Sequence, residues 1–488
     1  MINQKVAVVD IGSNSVRLVV YNGIRRSPTP IFNEKVLCGL ASAMAETGRL
    51  DKSGAKLAYE CIGRFVKLAE VMKVKKLYLF ATSAVRDAQD GDDFVKKIEK
   101  DYKVKIEILP GEEEAKYAGL GIVSALDHAS GVVADLGGGS LELIGIKSGK
   151  LFTEGVSYPL GPLRISGDKR KMRLYMRLVK SAFADYDFSV HADENLYLVG
   201  GGFRSLAKIH MGITNYPLKV LHDYKIPTSS FVSTLKLLEK MSEKDLLHFS
   251  ELPSKRAKFL PFVAMLLDQL VEYLKPKELV FSTFGVREGF LYEKLTEAEK
   301  QKDGLIEGAI DLVASSGYDP EYGEELFSWI EPLFNYNDKT KSRLLKASCI
   351  LSDLACYENT EYRGEIAFKR VIDSSLIALN HEERAFIALS LYYRYNSALE
   401  GTEITEPIMF LLSKAEIAEA KKIGSAMRLA RSLSGSTKGI LKNIPISLSK
   451  GKIILHFENG YGDLYGEKIT KRLAQLGKVL EKDILVRK

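Results

Sequence analysis

The period of apolar and polar positions changes several times along the chain. Residues 6–21 and 132–147 each hold two short β-branched and aliphatic runs broken by Gly, Ser and Asn, the pattern of two buried strands joined by a tight turn. The two segments, VAVVDIGSNSVRLVVY and VVADLGGGSLELIGIK, echo one another at fixed offsets. Asp10 matches Asp135, Gly12 matches Gly137, Ser15 matches Ser140, and Arg17 matches Glu142. Such an echo predicts a duplicated half-domain. Further strands are predicted at 76–80, 104–109 and 196–199, each running into a polar turn. Residues 52–72, 92–102, 115–126, 169–186 and 254–274 place apolar side chains at three-and-four spacing and read as helices. This mixture predicts two α/β domains, residues 1–125 and 126–304, with a cleft between them. From 304 to 398 helical periodicity dominates. A tail of 452–457, Asn459-Gly460, 463–465 and a helix from Glu467 reads as a small α/β unit closing a C-terminal region, 305–488.

Composition narrows the class without naming a function. With 488 residues, 46% hydrophobic and 27% charged, the chain is globular and long enough for about three domains. A net charge of +7 over this length is too weak for a dedicated nucleic-acid binder and hints at an anionic ligand. Cys38, Cys61, Cys349 and Cys356 have neither metal-type spacing nor the density of a disulfide framework, so a reducing, cytoplasmic setting is expected. An aspartate interrupts the first apolar run, and no uncharged run reaches the ~18 residues a membrane span needs.

The two glycine turns are the first candidates for chemistry. Turns without central side chains let backbone N–H groups approach an anion closely. Gly137, Gly138 and Gly139 offer consecutive donors, Ser13, Asn14, Ser15 and Ser140 add hydroxyl or amide groups, and a carboxylate precedes each turn. Phosphate with a divalent cation is the ligand this suits. Asp135 and Glu142, seven residues apart across a hairpin, are hard oxygen donors of the kind magnesium takes. Glu112, Glu113 and Glu114 open the helix after the strand at 104–109. Helix-dipole complementation explains at least two of them, and spacing alone does not say which one faces the cleft. Arg17 and Arg86 flank these turns with guanidinium groups suited to phosphoryl oxygens. The seven histidines form no metal spacing. The basic stretch 169–180, KRKMRLYMRLVK, reads as a solvated amphipathic face.

Taken together, DIGSNSVRL (10–18), ATSAVRDA (81–88), GEEEA (111–115), DLGGGSLEL (135–143), GGGFRSLA (200–207) and VREGFLYE (286–293) resemble the exopolyphosphatase and guanosine pentaphosphate phosphatase family of the actin-like ATPase superfamily. The resemblance covers roughly residues 1–300 in family order. It implies two actin-like, ribonuclease H-like α/β domains. It also implies that Glu114 is the base activating water, that Asp135 and Glu142 hold Mg2+ with Asp10 nearby, and that Arg17 and Arg86 contact phosphate. Ser13, Asn14, Ser15, Gly137, Gly138, Gly139 and Ser140 would form the phosphate loops, with Gly201 and Arg204 on the substrate. Residues from about 305 resemble more weakly an HD phosphohydrolase-like helical domain. There Ser352-Asp353 stands where an active member places His-Asp, so no working metal centre is expected in that region.

The expectation is a magnesium-dependent exopolyphosphatase in the cytoplasm, a homodimer with no nucleic-acid or membrane partner. Hydrolysis of guanosine pentaphosphate at its 5′ end is the nearest alternative, using the same chemistry on another leaving group. An actin-like ATP-binding or sugar-kinase-like protein is the alternative of another class. Phe203 and Arg204 argue against it, as bulky groups expected to crowd an adenine. A silent polyphosphate-binding scaffold is disfavoured because every proposed catalytic position is filled.

Overall fold

The computed structural model describes residues 4–164, 177, 179, 181, 194–241, 243–246, 257–396 and 402–487. Nearly all of the predicted helix at 169–186, with its basic stretch, lies outside them, as does the start of the helix predicted from 254. The chain forms two compact units, Met1–Lys302 and Asp303–Lys488.

In the first unit the duplication is visible as topology. β1 (Val6–Ile11), β2 (Ser15–Tyr21), β3 (Pro30–Leu37), β4 (Lys76–Ala81) and β5 (Ile106–Ile108) form a sheet in the order β3-β2-β1-β4-β5. β6 (Gly131–Leu136), β7 (Leu141–Lys147), β8 (Lys150–Leu151), β9 (Val156–Tyr158), β10 (Asn195–Gly200), β11 (Tyr224–Pro227) and β12 (Glu278–Phe281) form the other, in the order β11-β12-β10-β6-β7-β8, with β9 also on β7. Each sheet has an antiparallel hairpin, β1–β2 or β6–β7, whose first strand pairs in parallel with the next, β4 or β10. The predicted offsets become register: Asp10 lies opposite Arg17, and Asp135 lies opposite Glu142. β3, β8, β9, β11 and β12 escape sequence patterning. β3 (PIFNEKVL) shows why, since its side chains alternate between exposed and half-buried and no apolar run marks it.

Two helices bind the sheets together. Gly111–Ala125 buries Ala115, Ala118 and Ile122 against Val133 and Ile144 of the second sheet. Val286–Glu293 buries Phe290 and Leu291 against Val8, Phe80 and Tyr117. The helices touch through glycines, and a Cβ on Gly289 would fall 1.8 Å from the Tyr117 carbonyl oxygen. Removing the Phe290 ring from this junction should cost about 3–5 kcal/mol. The same two helices deliver Glu114 and Arg287.

In the second unit, five helices start where the sequence supplies an oxygen to cap them. Asp303, Asp319, Asp338, Asn380 and Ser413 accept backbone N–H groups at the starts of Gly304–Ser315, Pro320–Phe334, Lys339–Ile350, His381–Tyr395 and Lys414–Ser434. Asp353 is buried and accepts from Arg394 at 2.6 Å, Arg431 at 3.1 Å and the Cys356 thiol at 3.0 Å. Burial pushes its carboxyl up, but Arg394 and the hydrogen bonds outweigh this and hold it below the ordinary range. The tail is a sheet of β13 (Ile446–Ser449), β14 (Lys452–His456) and β15 (Asp483–Arg487) backed by helix Glu467–Leu480. Of residues 463–465, expected to be extended, Asp463 and Leu464 instead belong to a short 3-10 turn, Tyr461–Leu464, and Tyr465 caps it. The last strand comes from the chain end, where DILVR has only three apolar residues to signal it.

Candidate active site

In each sheet of the first unit the parallel strands point their carboxyl ends at one cavity, the position where open α/β sheets bind ligands. Asp10 comes from β1, Thr82 and Ser83 follow β4, Asp135 lies one residue before the end of β6, Gly200 ends β10 with Gly201 and Gly202 after it, and Gly285 follows β12. The two glycine turns face each other here. A Cβ on Gly139 would lie 2.7 Å from Ser83 Oγ and 3.0 Å from Ser13 Oγ, and those two hydroxyls share a hydrogen bond of 3.0 Å. Only glycine permits this approach. Gly200, at φ +103°, and Gly285 crowd the two carboxylate oxygens of Asp135, at 3.1 Å and 3.6 Å from where their Cβ atoms would be.

Charges of both signs line the cavity. Arg17, Lys35, Arg204 and Arg287 face it with Asp10, Glu114 and Asp135. Glu114 is 6% exposed and accepts from Arg86 Nη1 at 3.0 Å. Burial pushes its carboxyl far above the ordinary range, Arg86 opposes this, and Asp135 and Asp10 add to it. Burial likewise raises Asp10, and lifts Asp135 to about 6 although Arg204 opposes it. Arg287 meets Asp10 at 3.5 Å, and the acids around it outweigh its own burial. Glu142, 1% exposed, lies behind the turn rather than in the cavity lining. Its Oε1 accepts from Ser157 at 2.8 Å, and its carboxyl is raised by burial, then by Glu114 and Asp135.

A second cavity, of about 600 Å³, lies on the Arg86 side of the Glu114–Arg86 ion pair, whereas Glu114 lines the first. Arg86, Ser140 and Ser157 line it, with Asp87 and Glu112 toward solvent. Arg86 also meets Asp87 at 3.2 Å, and Arg164 pairs with the same carboxylate.

Among the described residues no three His, Cys, Asp or Glu side chains converge as a metal cage. Asp10 and Asp135 nevertheless fit magnesium, which takes one or two carboxylates and completes its shell with water and substrate phosphate. They share the cavity with Glu114, and burial is the first cause that raises all three carboxyls, a cost that a bound cation would offset.

Comparison with known proteins identifies the family. The Ppx/GppA phosphatase family profile matches residues 18–298, more than half of the chain, and that of the exopolyphosphatase C-terminal domain matches 307–486. The chain belongs to the Ppx/GppA phosphatase family. Exopolyphosphatase 1 of Mycobacterium leprae is 24% identical over 323 residues, 63% of this chain and 94% of its own length. Retrograde regulation protein 2 of Saccharomyces cerevisiae is 25% identical over 466 residues, 85% of this chain and 77% of its own. The Aquifex aeolicus Ppx/GppA crystal structure is similar at a TM-score of 0.52 and 22% identity, over 62% of this chain and 99% of that one. The fold is therefore that of the actin-like Ppx/GppA proteins, and the chain is a phosphatase, a hydrolase of phosphoanhydride bonds.

Within this Ppx/GppA framework the residues singled out from sequence separate into groups. Asp10, Ser13, Asn14, Ser15, Arg17, Glu114, Asp135, Gly137, Gly138, Gly201 and Arg204 line the first cavity, while Arg86 and Ser140 line the second. Gly139 forms the turn between them, and Glu142 is enclosed. Phe203 corrects the argument against a nucleotide: it points away from the cavity and is fully buried in the core with Leu206 and Leu266, so it crowds no base. Arg287 and Lys35 were missed. Arg287 lies in the VREGFLYE motif, whose charged positions signalled it, whereas Lys35 emerges only once β3 is paired with β2. No described helix is long and apolar enough to cross a membrane.

Proposed function

We propose that this phosphatase is an exopolyphosphatase, removing terminal orthophosphate from inorganic polyphosphate by direct attack of water. The observation that carries the reading is Glu114, a buried carboxylate 3.0 Å from Arg86, at the cavity where both glycine turns meet. A carboxyl pushed up to about 8 by burial is a strong acceptor for a proton from water once it is ionised. Water oxygen bonds to the terminal phosphorus as the bridging P–O bond breaks. Glu114 takes the proton, and the shortened chain keeps the bridging oxygen. Arg17, Arg86 and Arg287 supply fixed positive charge for the phosphoryl oxygens, and the turn amides hold the chain end in line. Magnesium, held by Asp10 and Asp135, would supply further charge neutralisation on those oxygens when bound.

A second reading is 5′ hydrolysis of guanosine pentaphosphate. Phe259, Leu260 and Val263 line the same cavity beside Gly201 and Gly202, an apolar wall of the kind a nucleobase can lie on. Phosphate release from long polyphosphate, guanosine pentaphosphate and ATP, compared as kcat/KM with magnesium and with chelator, separates the readings. A preference for ATP would overturn both.

A further inference from the structure

We propose that Glu288 is a positioning residue that keeps Arg287 and Asp10 from closing on each other, so that the guanidinium stays available to phosphate and the carboxylate to a cation. The proposal rests on the reading above, which gives Arg287 and Asp10 those roles. Glu288 lines neither of the two cavities, yet both of its carboxylate oxygens are engaged. Oε1 accepts from the Tyr21 hydroxyl at 2.9 Å, and Oε2 accepts from the Gly285 amide at 3.1 Å. Tyr21 ends β2 of the first sheet, whereas Gly285 follows β12 of the second and abuts Asp135. The carboxylate is therefore held from both sheets.

Arg287 lies between two acids and is bound fully by neither. Its Nη1 is 3.5 Å from Asp10 Oδ2, its Nε is 3.7 Å from Glu288 Oε1, and the buried Nε makes no hydrogen bond. A guanidinium and a carboxylate left to themselves close to about 2.7–2.9 Å. Among the surrounding carboxylates Glu288 acts on Arg287 most strongly, ahead of Asp10 and Asp135. Without that charge Arg287 is one short step from a full ion pair with Asp10, in which each group satisfies the other instead of its ligand. Glu288 is also the third residue of its helix, where its bond to the Gly285 amide is half of a capping box, a purely structural role. Capping, however, needs neither the Tyr21 hydroxyl from the other sheet nor a negative charge, since glutamine caps as well.

Glu288→Gln keeps the cap and the shape and removes only the charge. It is made alone and together with Arg287→Gln, and the cycle is read twice, as the magnesium concentration giving half of the melting shift without substrate and as kcat on polyphosphate. Alone, Glu288→Gln should raise the magnesium midpoint at least about fivefold and lower kcat about tenfold, with the melting temperature in chelator nearly unchanged. In the Arg287→Gln background, where no guanidinium stands at that position, the same change should move either quantity less than about twofold. Tyr21→Phe leaves the charge but frees the carboxylate to swing. It should act in the same direction more weakly, again only with Arg287 present, and it carries the test where Glu288→Gln does not fold. Equal penalties with and without Arg287 would overturn the proposal, because neither a cap nor a diffuse loss of negative charge depends on that partner. A parent protein whose melting ignores magnesium would overturn it as well. A parent that hydrolyses no polyphosphate would sink the substrate reading alone, leaving the melting cycle to decide on Glu288.

Discussion

The same row of the same hairpin carries opposite chemistry in the two sheets of the first unit. Across β1, β2 and β3 the aligned residues are Asp10, Arg17 and Lys35, whereas across β6, β7 and β9 they are Asp135, Glu142 and Ser157. Both rows begin with an aspartate at the cavity, which suits a shared cation. They diverge one strand out, where the first sheet presents cations to solvent and substrate, and the second buries another acid. Under the proposed function the repeated turns would hold phosphate, and the divergence of the second strand would give the cleft a cationic side that binds and an acidic side that takes a proton. Glu114 is electrostatically coupled to both rows through Asp10, Asp135 and Glu142.

The sharpest way to break this division is at Glu114. Glu114→Gln keeps the shape but cannot accept a proton, so kcat on polyphosphate should fall about 10²–10⁴-fold with KM nearly unchanged. Glu112→Gln and Glu113→Gln serve as controls, and equal losses among the three would remove the base from this position.

Asp135 tests the acidic row through stability. Its carboxyl titrates at about 6 in the folded chain against an ordinary 3.8. A raised carboxylate contributes full stability below about pH 4 and loses it as pH rises through about 6. Asp135→Asn carries no such charge, so in chelator it should stabilise the fold at pH 8, by at most about 3 kcal/mol, and not at pH 4. The same substitution should raise the magnesium concentration needed for activity. A lower melting temperature at pH 8 would show that Asp135 is paid for by contacts other than a bound cation.

These expectations show which parts of the site were legible in the amino-acid sequence. The hairpin pairs Asp10–Arg17 and Asp135–Glu142 could be read directly, because a tight turn fixes the register of its two strands. Phe203 could not, since one residue of a helix start turns to the core or the cavity according to packing that lies far away in sequence. Asp353 was suspect from its neighbour Ser352, but its partners, Arg394 and Arg431, stand 41 and 78 residues away and become visible only in the fold. Helix Gly111–Ala125 follows the first sheet in sequence yet buries its apolar face on the second, which no local pattern reveals.

Arg86, paired with Glu114, would link the acidic row to the phosphate and shape the pH response. The base must be ionised, so turnover should rise with pH through the raised pKa of Glu114. Arg86 is the cation that opposes that rise in pKa. Arg86→Gln should therefore shift the rising limb of kcat to more alkaline pH, besides lowering its plateau about tenfold. A limb moved toward acid would contradict the assignment.

Lys35 is the mildest and most specific probe of the cationic row. It is exposed, aligned with Arg17 on the neighbouring strand, and near enough to Asp10 to lower that carboxyl. Like charges facing each other across strands cost stability, which Asp10, near both Arg17 and Lys35, offsets, and under the proposed function a polyanion spanning the two cations would offset it further. A terminal phosphate held at the glycine turns places the next phosphates of the chain outward along this row. Lys35→Gln should then raise KM for long polyphosphate a few-fold, leave kcat alone, and flatten the dependence of log(kcat/KM) on log salt by about one counterion. Exposed cations contribute little when nothing is bound, so the melting temperature should hardly move. Unchanged salt dependence with a raised KM would assign Lys35 to shaping the strand edge, and the cationic row would then end at Arg17.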